Sequence, residues 1–109
     1  RQDIKMRKPK SGFASVYLKL DNEKEMILVI GGNDGQVQNR VEYLNLGDMQ
    51  WHKCASMLSR RDELAAVVGP DNKVYAIGGY GGSSNASCLN TVERYDPINN
   101  KWEAVAQMI

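Results

Sequence analysis

The sequence predicts an all-β repeat protein made of two units, each of four short antiparallel strands, laid side by side. Three observations predict it. Landmarks recur at a constant step of 51 residues: Trp51 returns as Trp102, Val41-Glu42 as Val92-Glu93, and Met6 as Met57 and again as Met108. The second strand of each unit is apolar on both faces. Nowhere do apolar residues hold the i, i+3, i+4, i+7 spacing for three turns, so no helix of consequence is expected.

A glycine pair, Gly31-Gly32, returns as Gly78-Gly79 after 47 residues rather than 51. The stretch before the pair is four residues longer in the first unit, and the stretch after it is four residues longer in the second, so the totals agree. Fixed anchors joined by elastic connections mark a stacked repeat architecture. The division read from this pattern is 1–10 as a linker or the end of a preceding unit, 11–58 as the first unit and 59–109 as the second.

In the first unit the strands are read over residues 13–20, 26–30, 41–46 and 51–55. The turn after the first, Asp21-Asn22-Glu23-Lys24-Glu25, is charged and hence a solvated tip. In the second unit Leu64-Ala65-Ala66-Val67-Val68 is a short apolar run. Gly69-Pro70-Asp71-Asn72 then supplies turn chemistry, because proline fixes φ while glycine and asparagine tolerate positive φ. Val74-Tyr75-Ala76-Ile77 follows and ends at the glycine pair. After a polar loop, residues 92–95 alternate with period two. Asp96-Pro97-Ile98-Asn99-Asn100 turns the chain, and residues 101–105 alternate again.

Met26-Ile27-Leu28-Val29-Ile30 and Val74-Tyr75-Ala76-Ile77 would be half wasted in a sheet with a wet side. They suit sheets sandwiched between neighbours, as when blades stack around an axis. The tryptophan opening each fourth strand buries a large apolar area, and its indole N–H needs a partner, which places Trp51 and Trp102 between sheets near polar loops. The glycine pairs allow positive φ and close approach of other chain segments.

At 109 residues with a net charge of +1, the chain has no electrostatic reason to bind nucleic acid or an anionic membrane. Its longest apolar runs, about six residues, fall far short of a membrane span. Cys54 and Cys88 show no disulfide framework, and free thiols in a reducing, cytoplasmic setting are the expectation.

Catalytic chemistry finds little support. The single histidine, His52, stands two residues before Cys54, and two ligands do not complete a tetrahedral metal site. Neither cysteine has a histidine positioned to activate it. Gly78-Gly79-Tyr80-Gly81-Gly82-Ser83-Ser84 lacks the lysine and following helix of a phosphate loop. Asp62 and Glu63, read as adjacent strand residues, point to opposite faces. No metal and no cofactor are expected.

Gly78-Gly79, Val92-Glu93, Tyr95-Asp96-Pro97, Trp102 and Met108 together resemble the kelch repeat. The first unit repeats Gly31-Gly32, Val41-Glu42, Trp51 and Met57, with Leu44 in place of the tyrosine and Leu46-Gly47 in place of Asp-Pro. The structural motif positions are thus Gly31, Gly32, Glu42, Trp51, Gly78, Gly79, Glu93, Tyr95 and Trp102. The resemblance covers essentially residues 7–108. It implies two four-stranded antiparallel blades of a larger, commonly six-bladed, kelch β-propeller, with both tryptophans in its core. Two blades cannot close a ring, so the remaining blades are expected in the same chain or from associating copies; the register of Met6 favours the former.

The resemblance also implies a non-enzymatic protein-interaction module. Its commonest setting is the substrate-recognition propeller of a BTB-kelch adaptor for a cullin-RING ubiquitin ligase. An actin-associated cytoskeletal protein is the alternative. A galactose-oxidase-like enzyme is a third reading, opposed by the single histidine. Kelch propellers recruit protein partners through loops after the Gly-Gly strand and before the first strand. Carried over, this selects Asn33, Asp34, Tyr80, Ser83 and Ser84, and at the approach to strand one Lys10, Ser11, Arg60 and Arg61. Arginine and tyrosine combine contact area with directionality, but Arg60 and Arg61 could equally solvate a blade edge or pair with local carboxylates.

Overall fold

The computed structural model describes residues 10–82 and 88–107. Eight strands follow in order: β1 (Ala14–Lys19), β2 (Glu25–Ile30), β3 (Val41–Asn45), β4 (Gln50–Lys53), β5 (Ala65–Val68), β6 (Val74–Ile77), β7 (Thr91–Asp96) and β8 (Lys101–Gln107). They form two four-stranded sheets, β1-β2-β3-β4 and β5-β6-β7-β8, every neighbouring pair antiparallel. The sheets lie face to face with β1 beside β5, so the first strands mark the inner edge of each blade.

Register explains which side chains meet. Val16 pairs with Leu28 and Leu28 with Tyr43, so Leu18, Met26, Leu28, Ile30 and Val41 share the face of blade 1 turned to blade 2. From blade 2, Val74, Ala76, Tyr95 and Trp102 answer them, with Met57 and Leu64 filling in from the connection between the sheets. Period-two alternation accounts for this half of β2. On the far face Val29 is buried as well.

Two readings need correction. β5 begins at Ala65, so Asp62 and Glu63 belong to the loop before it, and Glu63 sits at φ 56°, a conformation no strand residue adopts. Trp51 is only half-buried, unlike Trp102, which is 4% exposed.

The connection from β4 to β5 is bonded to both blades along its length. Cys54 N–H donates to Val41 O in blade 1 at 2.9 Å, and Ala55 N–H to Asn100 Oδ1 in blade 2 at 2.9 Å. Trp102 Nε1 donates to Ala55 O at 2.9 Å, which is the partner that a buried indole needs. Farther on, Arg61 N–H donates to Gln38 O at 3.0 Å and Gly32 N–H donates to Arg61 O at 2.8 Å.

At the centre of this connection is a buried ion pair. Arg61 Nε lies 3.1 Å from Glu93 Oε2, and the two side chains are 1% and 2% exposed. Most of the remaining donors and acceptors are occupied as well. The guanidinium also donates to Gly78 O, Thr91 O and Thr91 Oγ1, each at 2.9 Å. The carboxylate accepts the backbone N–H groups of Leu58 at 2.7 Å and Ser59 at 3.2 Å. A buried pair is tolerable only when its remaining donors and acceptors are satisfied in this way.

The glycine pair is needed for closeness. Gly31 sits at φ 66°, and a Cβ built there would lie 2.4 Å from Arg61 O. The second glycine is as confined: a Cβ at Gly32 would lie 2.9 Å from Ser11 O, and one at Gly79 2.6 Å from Asp62 O, the equivalent carbonyl of blade 2.

Glu93→Gln keeps the shape of the side chain and removes its charge, leaving Arg61 buried without a counter-ion. Urea unfolding should show a loss of about 3–5 kcal/mol. Gly31→Ala combines a left-handed backbone with a clash against main chain, and the same assay should register a loss of roughly 2 kcal/mol or more.

Candidate functional site

The loops after β2 and β6 and the loops before β1 and β5 meet at one end of the blades. Ser11 and Asn33 exchange both backbone bonds, at 3.0 and 2.8 Å, and Asp62 and Tyr80 do the same in blade 2 at 2.9 and 2.7 Å. Asn33 pairs in addition with Val37, and Tyr80 with Cys88. Each blade therefore carries a small three-chain cap that holds its loops in place, and Asn33 Nδ2 bridges the two caps by donating to Asp62 Oδ2 at 3.3 Å.

Between the caps lies an open depression of about 380 Å³ lined by Asn33, Gly35, Gln36, Val37, Arg60, Tyr80, Gly81 and Gly82. Arg60 is exposed, steadied by one bond from Nη1 to Val37 O at 3.4 Å. Tyr80 is 41% exposed. The cap fixes the Tyr80 backbone while the ring remains accessible, which lowers the entropy lost when a partner contacts it. A planar cation, an aromatic ring and amide groups on rigid backbone are the chemistry of a protein-binding surface.

Of the residues selected from sequence, Asn33, Arg60 and Tyr80 converge here, and Ser11 lies exposed in the adjoining cap. Arg61 does not belong to the surface. It was expected there beside Arg60 and is instead the buried partner of Glu93, because successive residues in this extended segment turn opposite ways. Lys10 and Asp34 line a separate cavity of about 250 Å³ with Gln38, Arg40, Val41, Glu42, Lys53, Cys54 and Ser56. Burial lowers the Lys10 pKa, with the Glu42 carboxylate opposing the shift. The Asp34 carboxylate, 6% exposed, accepts Gln38 Nε2 at 2.6 Å and Arg40 Nη2 at 3.0 Å, so it braces its own loop. Ser83 and Ser84 lie outside the described residues, as do Met6 and Met108. Sequence reasoning missed Gln36 and Val37, which carry no motif, and Asp62. The latter had a signal, since it stands 51 residues after Ser11 and takes the same place in its blade.

The family model described as the Kelch motif matches residues 24–58 and 64–109. The chain belongs to the kelch-repeat family. An F-box/kelch-repeat protein of Arabidopsis thaliana is 34% identical over 90 residues, covering 82% of this chain and 26% of the relative. Kelch-like protein 35 of Mus musculus is 36% identical over 103 residues, 91% of this chain and 15% of the relative. Kelch-like protein 23 of Homo sapiens is 39% identical over 59 residues, 54% of this chain and 10% of the relative. The chain thus spans about a quarter or less of each of these relatives. Among solved structures, a fungal alcohol oxidase of the AA5 family in complex with copper superposes with a TM-score of 0.74 at 23% identity, over 92% of this chain and 23% of its own. The structure of YjhT superposes with a TM-score of 0.71 at 21% identity, over 91% of this chain and 28% of its own. At such identities the likeness shows the propeller-blade fold alone. The two sheets are kelch blades.

His52 and Cys54 serve packing. The His52 ring stacks on Tyr43 with centroids 5.0 Å apart and bonds Asp48 at 3.1 Å. Cys54 turns toward Tyr95 in the blade interface, where burial raises the thiol pKa. Among the described residues no group of three or more His, Cys, Asp or Glu side chains is gathered to hold a metal ion.

The two free thiols should separate chemically. Cys54 is half-buried with its thiolate disfavoured, whereas Cys88 is exposed. Thiolate is the reactive form, so alkylation of the native protein at neutral pH, followed by peptide mass spectrometry, should label Cys88 at least about tenfold faster than Cys54. Raising the pH toward the displaced thiol pKa should narrow the gap.

Proposed function

We propose that the chain is part of a non-enzymatic kelch propeller that recruits a protein partner through the loop mouth containing Asn33, Arg60 and Tyr80. The observation that carries this reading is the placement of an exposed guanidinium and an exposed aromatic ring on backbone fixed by interstrand caps. Rigid scaffolds that present accessible loops are the general architecture of binding modules. The kelch-like relatives and the F-box/kelch-repeat relative support an interaction role over a catalytic one.

The more specific assignment is a substrate-recognition propeller of a BTB-kelch adaptor for a cullin-RING ubiquitin ligase, acting in the cytoplasm, with six blades in the complete ring. In that setting the mouth holds the protein to be modified, while a separate domain engages the ligase. Ser11 adds to the rim. Arg60 supplies directional hydrogen bonds to carboxylate or carbonyl groups, and Tyr80 supplies apolar area with a polar tip.

The test uses the full-length protein, tagged and recovered from cells with its partners. Arg60→Ala with Tyr80→Ala should lower recovery of at least one partner by about tenfold or more, the effect expected of paired hot-spot residues. The melting temperature should stay unchanged, and a cullin subunit should still co-purify. Undiminished recovery of every partner would rule out the mouth as the binding surface, and absence of a cullin from the native complex would rule out the ligase assignment.

A further inference from the structure

The loop mouth occupies one end of the blades, and the turns after β1, β3, β5 and β7 gather at the other. There a depression of about 150 Å³ crosses from blade 1 to blade 2. Leu20 and Asp21 line it from the turn after β1, Asp71 and Lys73 from the turn after β5, and Pro97 and Ile98 from the turn after β7. Asn72 Nδ2 donates to Lys19 O at 3.3 Å and ties the first two of these turns together. Further repeats would pack on the far faces of the two sheets. They would leave open a depression that lies on the boundary between these two blades.

Ile98 has no role in the fold. Its side chain is 76% exposed, more than any other large apolar side chain among the described residues. The turn that carries it is held by other groups. Asp96 Oδ1 accepts the Ile98 N–H at 2.9 Å. Asn100, at φ 52°, accepts the Ala55 N–H at 2.9 Å and the Tyr95 hydroxyl at 2.7 Å on its Oδ1. The equivalent turn of blade 1 has Gly47 at this position, 51 residues earlier, so the repeat does not require an isoleucine. An apolar side chain held out to water on a fixed backbone loses little entropy when a partner covers it. The lining around it carries three carboxylates, Asp21, Asp71 and Asp96, against one cation, Lys73. Hydrogen bonds from Tyr75 and Asn99 hold Asp71 and Asp96 below the usual carboxylate pKa range, so both are ionised at neutral pH. Asp21 is exposed and, among the described residues, unpaired. The adjoining surface adds Lys101 and Glu103, which offset each other.

We propose that this depression is a second docking surface, for a segment of another protein that carries an arginine or lysine beside an apolar side chain. The basic side chain enters the depression with its aliphatic stem along Leu20 and Pro97 and its charged head toward Asp21 and Asp96. The apolar neighbour covers Ile98. Size favours a single side chain, because the space is well below the roughly 300–1,000 Å³ of small-molecule sites. Charge complementarity selects a basic segment over an acidic one. The mouth has the opposite character, since Arg60 is its exposed cation. The two surfaces lie at opposite ends of the blades, so this proposal is independent of partner binding at the mouth.

Two measurements on the full-length protein test this. Ile98→Cys, alkylated with iodoacetamide and read by peptide mass spectrometry, should label within about threefold of the exposed Cys88. Much slower labelling would mean that another part of the chain or a second copy already covers the site, which would overturn the proposal. The second measurement selects a display library of random peptides on protein carrying Arg60→Ala and Tyr80→Ala, which removes competition from the mouth. The recovered peptides should hold arginine or lysine beside an apolar residue. Ile98→Ala and Asp21→Asn should each weaken their binding by about fivefold or more, and added salt should weaken it further. Both positions are exposed, so the two variants should melt with the unaltered protein. An empty selection, acidic peptides, or peptides that bind either variant as well as the unaltered protein would each sink the idea.

Discussion

The Arg61–Glu93 ion pair is the constraint on which the rest of this structure depends. It is sealed between two sheets, where an unpaired charge would be strongly destabilising, so its geometry is held by every group around it. All but the Thr91 hydroxyl are backbone atoms: the carbonyls of Gly78 and Thr91 on one side, the amides of Leu58 and Ser59 on the other. The pair therefore does more than join two side chains. It fixes the path of the linker over blade 2 and the position at which β6 gives way to the loop mouth. Arg60 is delivered to the surface because Arg61 is anchored beneath it.

The binding reading follows from that rigidity. A loop residue contributes to affinity in proportion to how little order it must gain on binding. Tyr80 is held by a two-bond exchange with Asp62, and Asn33 by the same exchange with Ser11, so both are set before any partner arrives. Among the described residues Arg60 has one long bond, to Val37 O, and its exposed side chain can turn toward a ligand. The mouth thus combines a fixed frame with an adaptable cation, which suits recognition of a protein surface better than the tight positioning that catalysis requires.

The blades have diverged where packing demands least. On the inner faces Leu28, Ile30, Val74 and Ala76 are all buried. Away from the interface, blade 2 carries Arg94, which contacts the Tyr75 hydroxyl and Glu103; these contacts raise the Arg94 pKa and lower that of Glu103, while the hydrogen bond donated by Tyr75 lowers that of Asp71. Blade 1 places the Tyr43–His52 stack at the corresponding position, with Lys24 over the Tyr43 ring. One blade fills the position by ion pairing on its far face, the other by stacking on the face turned to its neighbour. Exposed pairs of this kind contribute little stability, so their identity is free to vary.

By itself the sequence determined the local architecture. Strand order, the turns at Asn72 and Asn100 with φ of 61° and 52°, and the left-handed glycine pairs follow from periodicity and from side-chain sterics, which act within a few residues. Repetition then implied that one blade packs on another. What the tertiary structure alone decided is the division of labour between neighbours. Arg60 and Arg61 have the same chemistry and the same local sequence, and the difference between them is Glu93, 32 residues away and reached only when two sheets close. Trp51 and Trp102 likewise hold equivalent motif positions, but the Ala55 carbonyl meets the Trp102 indole, because the linker from β4 to β5 crosses the second blade. Burial of a charge or a donor depends on what the rest of the chain brings to it, and no local pattern encodes that.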